Sequence, residues 1–165
     1  DNISIFKLFN FFMKFFFLFF FILASFSDVI SKGDLTRQKP ITKTVNFNSI
    51  DGLSHMYEPN ILEFETGVLY KLILENKSKY KHYFTSYSFS RSIFTRKVQV
   101  NFKNQKIAEV KGDIKEIEIF PGQSLEWWFV PVKTGVFNDL FCNVKDKKTN
   151  LTHSEMGMTG TIKIY

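Results

Sequence analysis

From residue 61 onward, apolar and polar residues alternate in short runs broken by turn residues. A period of two sustained this way confines the chain to stacked β-sheets, because successive side chains on a strand point to opposite faces. Ile61-Leu62-Glu63-Phe64-Glu65 alternates and stops at Thr66-Gly67. Residues 68–75 then set Val68, Tyr70, Leu72 and Leu74 on one face, and residues 96–102 alternate Val98 and Val100 with polar neighbours. Residues 82–89 are rich in aromatics and serine, and Ile117-Glu118-Ile119 runs into Pro121-Gly122, a pair that presets the centre of a type II turn. Leu125, Trp127 and Phe129 share a face of the next run; a turn at 131–135 leads to a run ending at Cys142, and residues 159–165 close the chain. Short strands at this spacing predict an all-β fold, a Greek-key sandwich or barrel of about seven or eight strands. Residues 101–112 leave room for a turn or two of helix.

The N-terminus obeys a different rule. Of 21 phenylalanines, 11 fall in the first 27 residues, and the apolar run from Phe15 to Ala24 follows Lys14. That run is too short for a bilayer crossing, which takes about 20 residues. It fits the core of a secretory signal over residues 1–27, with Ser25 and Ser27 as the small residues before a cut ahead of Asp28. Met13 is the alternative true start, and an uncleaved anchor is the competing reading. No cysteine near the cut excludes a lipoprotein. Residues 28–50 are polar and read as an extended leader or a loose first strand, leaving 51–165 as the principal domain.

Residues 28–165 carry 20 Lys+Arg against 15 Asp+Glu, a surplus of five. The signs are interspersed rather than striped, which argues against nucleic acid and leaves an acidic docking partner or plain solubility. Arg91, Arg96 and Lys97 form a local basic cluster that is either a docking patch or solvated surface. One cysteine, Cys142, is an awkward number for an exported chain. It is either a buried thiol acting as a small apolar residue or a thiolate protected by a metal.

Its neighbours bear on that choice. Cys142 ends a strand, His153 and Gly157-Met158 follow on a loop, and upstream His82 opens a strand after Asn76-Lys77-Ser78. Two imidazoles, a thiol and a thioether on strand ends match the trigonal His₂Cys set with a weak axial Met that suits copper. Four segments in order carry a resemblance to the cupredoxins: PNILEFETGVLYKLILEN (59–76), KHYF (81–84), IFPGQSLEWWFVPVKTGVFNDLFC (119–142) and HSEMGMTGTIKI (153–164). The resemblance spans residues 55–165. It implies one copper ion cycling between cuprous and cupric, with His82, Cys142 and His153 as strong ligands and Met158 as the axial one. Met156 is the alternative thioether and Glu155 a harder alternative; His55 has no partner pattern and reads as structural or exposed.

The chain departs from the family in two places. Ten residues separate Cys142 from His153, more than the family's usual two to five, and Tyr83 stands where some members have an Asn after the first histidine. The charged insert KDKKTN (145–150) can loop outward and return His153, or serve as a docking surface.

The resemblance implies an exported, periplasmic or secreted one-electron carrier rather than an enzyme, monomeric, serving a redox partner such as an acidic-faced cytochrome or oxidase. Membrane attachment requires the N-terminal segment to stay uncleaved. Copper trafficking or storage, handing cuprous ion to an acceptor, is the alternative, and a metal-free binding module is a third reading. Three histidines and one cysteine are too few within these residues for a multicopper oxidase or a binuclear copper centre.

Overall fold

Period-two burial organises the chain into paired strands. The computed structural model describes residues 33–103 and 105–165, together with Met13. The signal-peptide expectation for residues 1–27 lies outside the described residues, Met13 apart. Asp34–Tyr165 form one compact unit. Its strands are β1 (Ile41–Ile50), β2 (Ser54–Glu58), β3 (Ile61–Phe64), β4 (Tyr70–Asn76), β5 (His82–Thr85), β6 (Ile93–Phe102), β7 (Gln105–Val110), β8 (Glu116–Ile119), β9 (Ser124–Pro131), β10 (Gly135–Phe141) and β11 (Thr159–Ile164). A single helical turn, α1 (Tyr87–Ser90), follows β5 and is capped by Ser86, whose hydroxyl accepts from the Phe89 N–H.

Two sheets result, in the orders β2-β1-β4-β9-β6-β7 and β3-β11-β10-β5-β8. Pairing is antiparallel except for β1 with β4 and β3 with β11. The alternation seen in sequence faces inward: Tyr70, Leu72, Leu74 and Asn76 are buried on β4, and Trp127 and Phe129 on β9. They meet Leu62 and Phe64 of β3, Phe84 of β5, Ile117 and Ile119 of β8, and Ile162 and Ile164 of β11 across the core. Gly160 lets β11 fit between its neighbours, because an added Cβ would lie 2.6 Å from the Asn60 carbonyl oxygen.

The strand count exceeds the expected seven or eight because hairpins extend both sides of the larger sheet. Residues 41–50, expected as leader or loose strand ahead of a domain starting at 51, are β1, lying between β2 and β4 with Val45 and Phe47 in the core. Residues 101–112, where a helical turn had room, hold the β6–β7 hairpin instead. Every residue of β7 is exposed, since this edge strand pairs only with β6 and covers no core.

Trp127 is the largest fully enclosed side chain, with Phe84, Phe89 and Phe129 around it and its indole N–H donated to Thr95 Oγ1. Trp127→Ala is expected to cost about 3–5 kcal/mol in urea unfolding, against under ~0.5 kcal/mol for Val136→Ala on the solvent side. Equal losses for the two would overturn this account of the core.

Candidate metal centre

Asn76 ends β4 with its side chain buried, and its amide organises the turn into β5. Nδ2 donates to the carbonyls of Tyr80 (2.7 Å) and Ile119 (2.8 Å), while Oδ1 accepts from the Ser78 N–H and lies 2.9 Å from the Ser78 hydroxyl. Ser78 Oγ sits 2.8 Å from His82 Nε2. The single serine proton has Asn76 Oδ1 and the Tyr80 carbonyl as acceptors. With the serine proton on either acceptor, Ser78 Oγ can take an N–H from His82 Nε2, the tautomer that leaves the lone pair on Nδ1.

β10 delivers Cys142, which is fully buried, and the Tyr83 N–H donates to its sulfur at 3.2 Å. Tyr83 thus contributes to the site through its backbone N–H. Burial pushes the thiol pKa up, while the backbone of Tyr83 and Val144 pulls the other way. A metal ion would further favour the thiolate.

The long Cys–His connection closes on itself. The Asp146 carboxylate accepts from the backbone N–H groups of Lys148 and Thr149, and an isolated bridge pairs Lys145 with Thr152. The His153 N–H donates to the Val144 carbonyl at 2.8 Å and the Ser154 N–H to the Cys142 carbonyl at 3.0 Å. The ten residues therefore bulge outward from a fixed neck, and His153 returns to the thiol.

There the donors converge. Cys142 Sγ lies 3.8 Å from His82 Nδ1 and 3.7 Å from His153 Nδ1, and the two nitrogens are 3.0 Å apart. A triangle with these sides has its centre about 2 Å from each corner, close to the ~2.0–2.1 Å metal–imidazole and ~2.3 Å metal–thiolate bonds typical of such donors. Burial, then the neighbouring imidazoles, lowers His82 to about 3. Burial, then His55, lowers His153 to about 4, against an opposing pull from Asp146. Both rings are thus neutral at ordinary pH. The donor set fits a single soft-to-borderline ion.

Met158 is fully buried in the same core cluster as Cys142, and its N–H donates to the His153 carbonyl. The sulfur of Met156 is approached instead by the Thr149 hydroxyl at 3.8 Å. Glu155 is engaged away from the centre, accepting from the N–H and hydroxyl of Thr152. Arg96 and Lys97 lie over the Trp128 ring, and Lys97 pairs with Glu109 at 3.6 Å, as a structural surface does.

The residue missed in sequence is His55. It is fully buried on β2, its ring stacked on His153 at 3.8 Å and 5.2 Å from that of His82. The available signal was the short alternation of β2, in which His55 and Tyr57 face inward together.

The depressed imidazole pKa values carry a sign. An unfolded chain takes up protons near the ordinary 6.5, whereas folded His153 and His82 do so only at about 4 and 3. Their neutral forms therefore add stability that is full above 6.5 and is lost as pH falls through the folded values. Thermal unfolding of chelator-treated protein should show a downward slope below ~6.5 that becomes shallower in His82→Gln/His153→Gln. An identical slope in the double variant would contradict the assignment.

No protein-family model matches the sequence, and no curated protein does. Solved structures do match. A copper-containing nitrite reductase (NirK) from Thermus scotoductus SA-01 aligns with 78% of this chain at 14% identity and a TM-score of 0.56, covering 32% of its own length. A laccase from Pediococcus acidilactici Pa5930 aligns with 78% at 12% identity and a TM-score of 0.52, covering 27% of its length. Auracyanin from Roseiflexus castenholzii matches over 99% of its length at 15% identity with a TM-score of 0.44. The chain spans about a third of the length of the nitrite reductase and of a similar multicopper oxidase from Campylobacter jejuni. At these identities the likeness is one of architecture: the chain has a cupredoxin-like β-sandwich fold.

Proposed function

We propose that this protein is an exported one-electron carrier that holds one copper ion through His82, Cys142 and His153, with Met158 as the weak axial ligand. The observation that carries the reading is the triangle of two neutral imidazole nitrogens and one thiol sulfur with sides of 3.0, 3.7 and 3.8 Å. When bound, copper supplies the cuprous–cupric couple; thiolate and thioether suit the first state and imidazole suits both. The chain's part is to hold the donors still. Ser78 fixes the ring of His82, the Val144 carbonyl fixes the backbone of His153, and the surrounding apolar core excludes water. Little then rearranges when one electron moves, and no substrate is turned over.

His82, Cys142, His153 and Met158 are all essentially buried, which suits passing an electron through a ring edge better than passing the ion itself. Trafficking to a copper acceptor requires an incoming ligand to reach those atoms. Beside His153 opens a cavity of about 550 Å³ whose lining includes Lys79, Lys81, Lys145, Lys147 and Lys148. Two of its lining residues, Asp51 and Asp146, are acidic. This basic rim fits an acidic-faced redox partner.

Cupric titration of the protein under air should produce an intense thiolate-to-copper charge-transfer band at one ion per chain, absent in Cys142→Ser. Uptake of cuprous ion alone, without the band, would replace the carrier reading with trafficking; no uptake in either state would leave a binding module.

The basic rim makes a separate prediction. Oxidation of the cuprous protein by anionic ferricyanide should slow several-fold as the Debye length shrinks from ~30 Å at 0.01 M to ~8 Å at 0.15 M ionic strength. It should also slow in Lys145→Gln/Lys147→Gln/Lys148→Gln, while oxidation by a cationic cobalt complex does not. Equal salt dependence for both oxidants would remove the lysines from the docking account.

A further inference from the structure

His55 is the one buried imidazole that finds no hydrogen-bond partner among the described residues. The side chain is fully enclosed, and neither Nδ1 nor Nε2 meets a hydrogen-bond partner among the described residues. An imidazole always offers at least one N–H or lone pair, so burying both nitrogens unpaired carries the full desolvation penalty. Such an arrangement calls for something outside the chain to satisfy it.

The surroundings say what. Donor nitrogens of His55, His82 and His153 lie within 4.8 Å of one another. Neighbouring nitrogens bound about 2 Å from one ion stand roughly 3 Å apart; His82 and His153 already have that spacing, and His55 joins them by closing towards the same point. The His55 ring stacks face to face on His153 with an interplanar angle of 24°, which sets their edges side by side. Tyr80 closes the other flank, its ring edge-on to His55 at 5.3 Å.

The backbone holds His55 there deliberately. Its N–H donates to the Met156 carbonyl at 3.2 Å, tying β2 to the segment that carries His153 and Met158. The close approach depends on Gly157, which sits at φ +104° and where a side chain would come within 3.3 Å of the His55 carbonyl oxygen.

We propose that His55 is a further ligand of this metal centre, a third imidazole held in place beside the ion that binds its cupric state more strongly than its cuprous state. The inference rests on the reading that His82, Cys142 and His153 hold copper. Cupric ion favours nitrogen-rich, tetragonal coordination, whereas cuprous ion is content with the softer trigonal set. The third nitrogen therefore stabilises the oxidised form selectively and lowers the reduction potential.

The test uses the full chain and two variants. His55→Gln shortens and weakens the donor; His55→Phe keeps an aromatic ring in the stack and removes both nitrogens, so it guards against a mere packing defect. Each is titrated with cupric and with cuprous ion, examined by electron paramagnetic resonance for coupled nitrogens, and poised electrochemically. The wild type should show three coupled nitrogens and the variants two. Cupric affinity should fall about tenfold more than cuprous affinity, which for a one-electron couple raises the midpoint potential by about 59 mV. A structural role alone would move thermal stability but leave the nitrogen count and the potential unchanged, and that result overturns the proposal. Copper uptake by the wild type with variants indistinguishable from it overturns only His55; no uptake by the wild type overturns this inference and the copper reading together.

Discussion

The side-chain amide of Asn76 is the constraint on which the centre depends. It is a polar group placed where the alternation of β4 puts core residues, and its burial is tolerable because both ends of the amide are bonded. Its backbone is saturated as well: the N–H donates to Gln123 and the carbonyl accepts from Gly122. One residue thereby joins β4, the Pro121-Gly122 turn, the end of β8 and the turn into β5. Through Ser78 it also reaches Nε2 of His82. The ring that turns Nδ1 towards the centre is thus held by a chain of hydrogen bonds beginning in the core.

The same logic governs the other half of the centre. Cys142 and His153 sit at the two sides of a neck made by the Ser154–Cys142 and His153–Val144 backbone bonds. Beyond the neck, Asp146 gathers the tip of the loop with its own carboxylate. Neither set of bonds needs the loop to be short. His55 enters from a third direction, on a strand anchored to the Met156 carbonyl, so separate parts of the chain hold the site's walls.

Legibility in the sequence followed the strength of the burial constraint. Strands buried on one face, such as β4 with Tyr70, Leu72 and Leu74 or β9 with Trp127 and Phe129, announce themselves by alternation because each outward slip would expose a large side chain. β7 announces nothing, since both of its faces are exposed. β1 was obscured by Thr and Asn at its partly exposed positions, although Val45 and Phe47 point inward. His82, Cys142 and His153 could be singled out because strand ends and a Gly-Met spacing mark them. His55 could not, because its role is defined by three-dimensional neighbours rather than by a local pattern. Whether a ten-residue excursion returns a histidine to its place is likewise a question of hydrogen-bond closure at the neck, which spacing does not encode.

That neck separates two properties that the chain could otherwise alter only together. Residues beyond Lys145 and before Thr152 lie on the far side of the last backbone pairing, so changes among them need not move the nitrogen of His153. Changes at the lysines of that tip would alter the charge presented beside His153 while leaving the neck's backbone bonds in place.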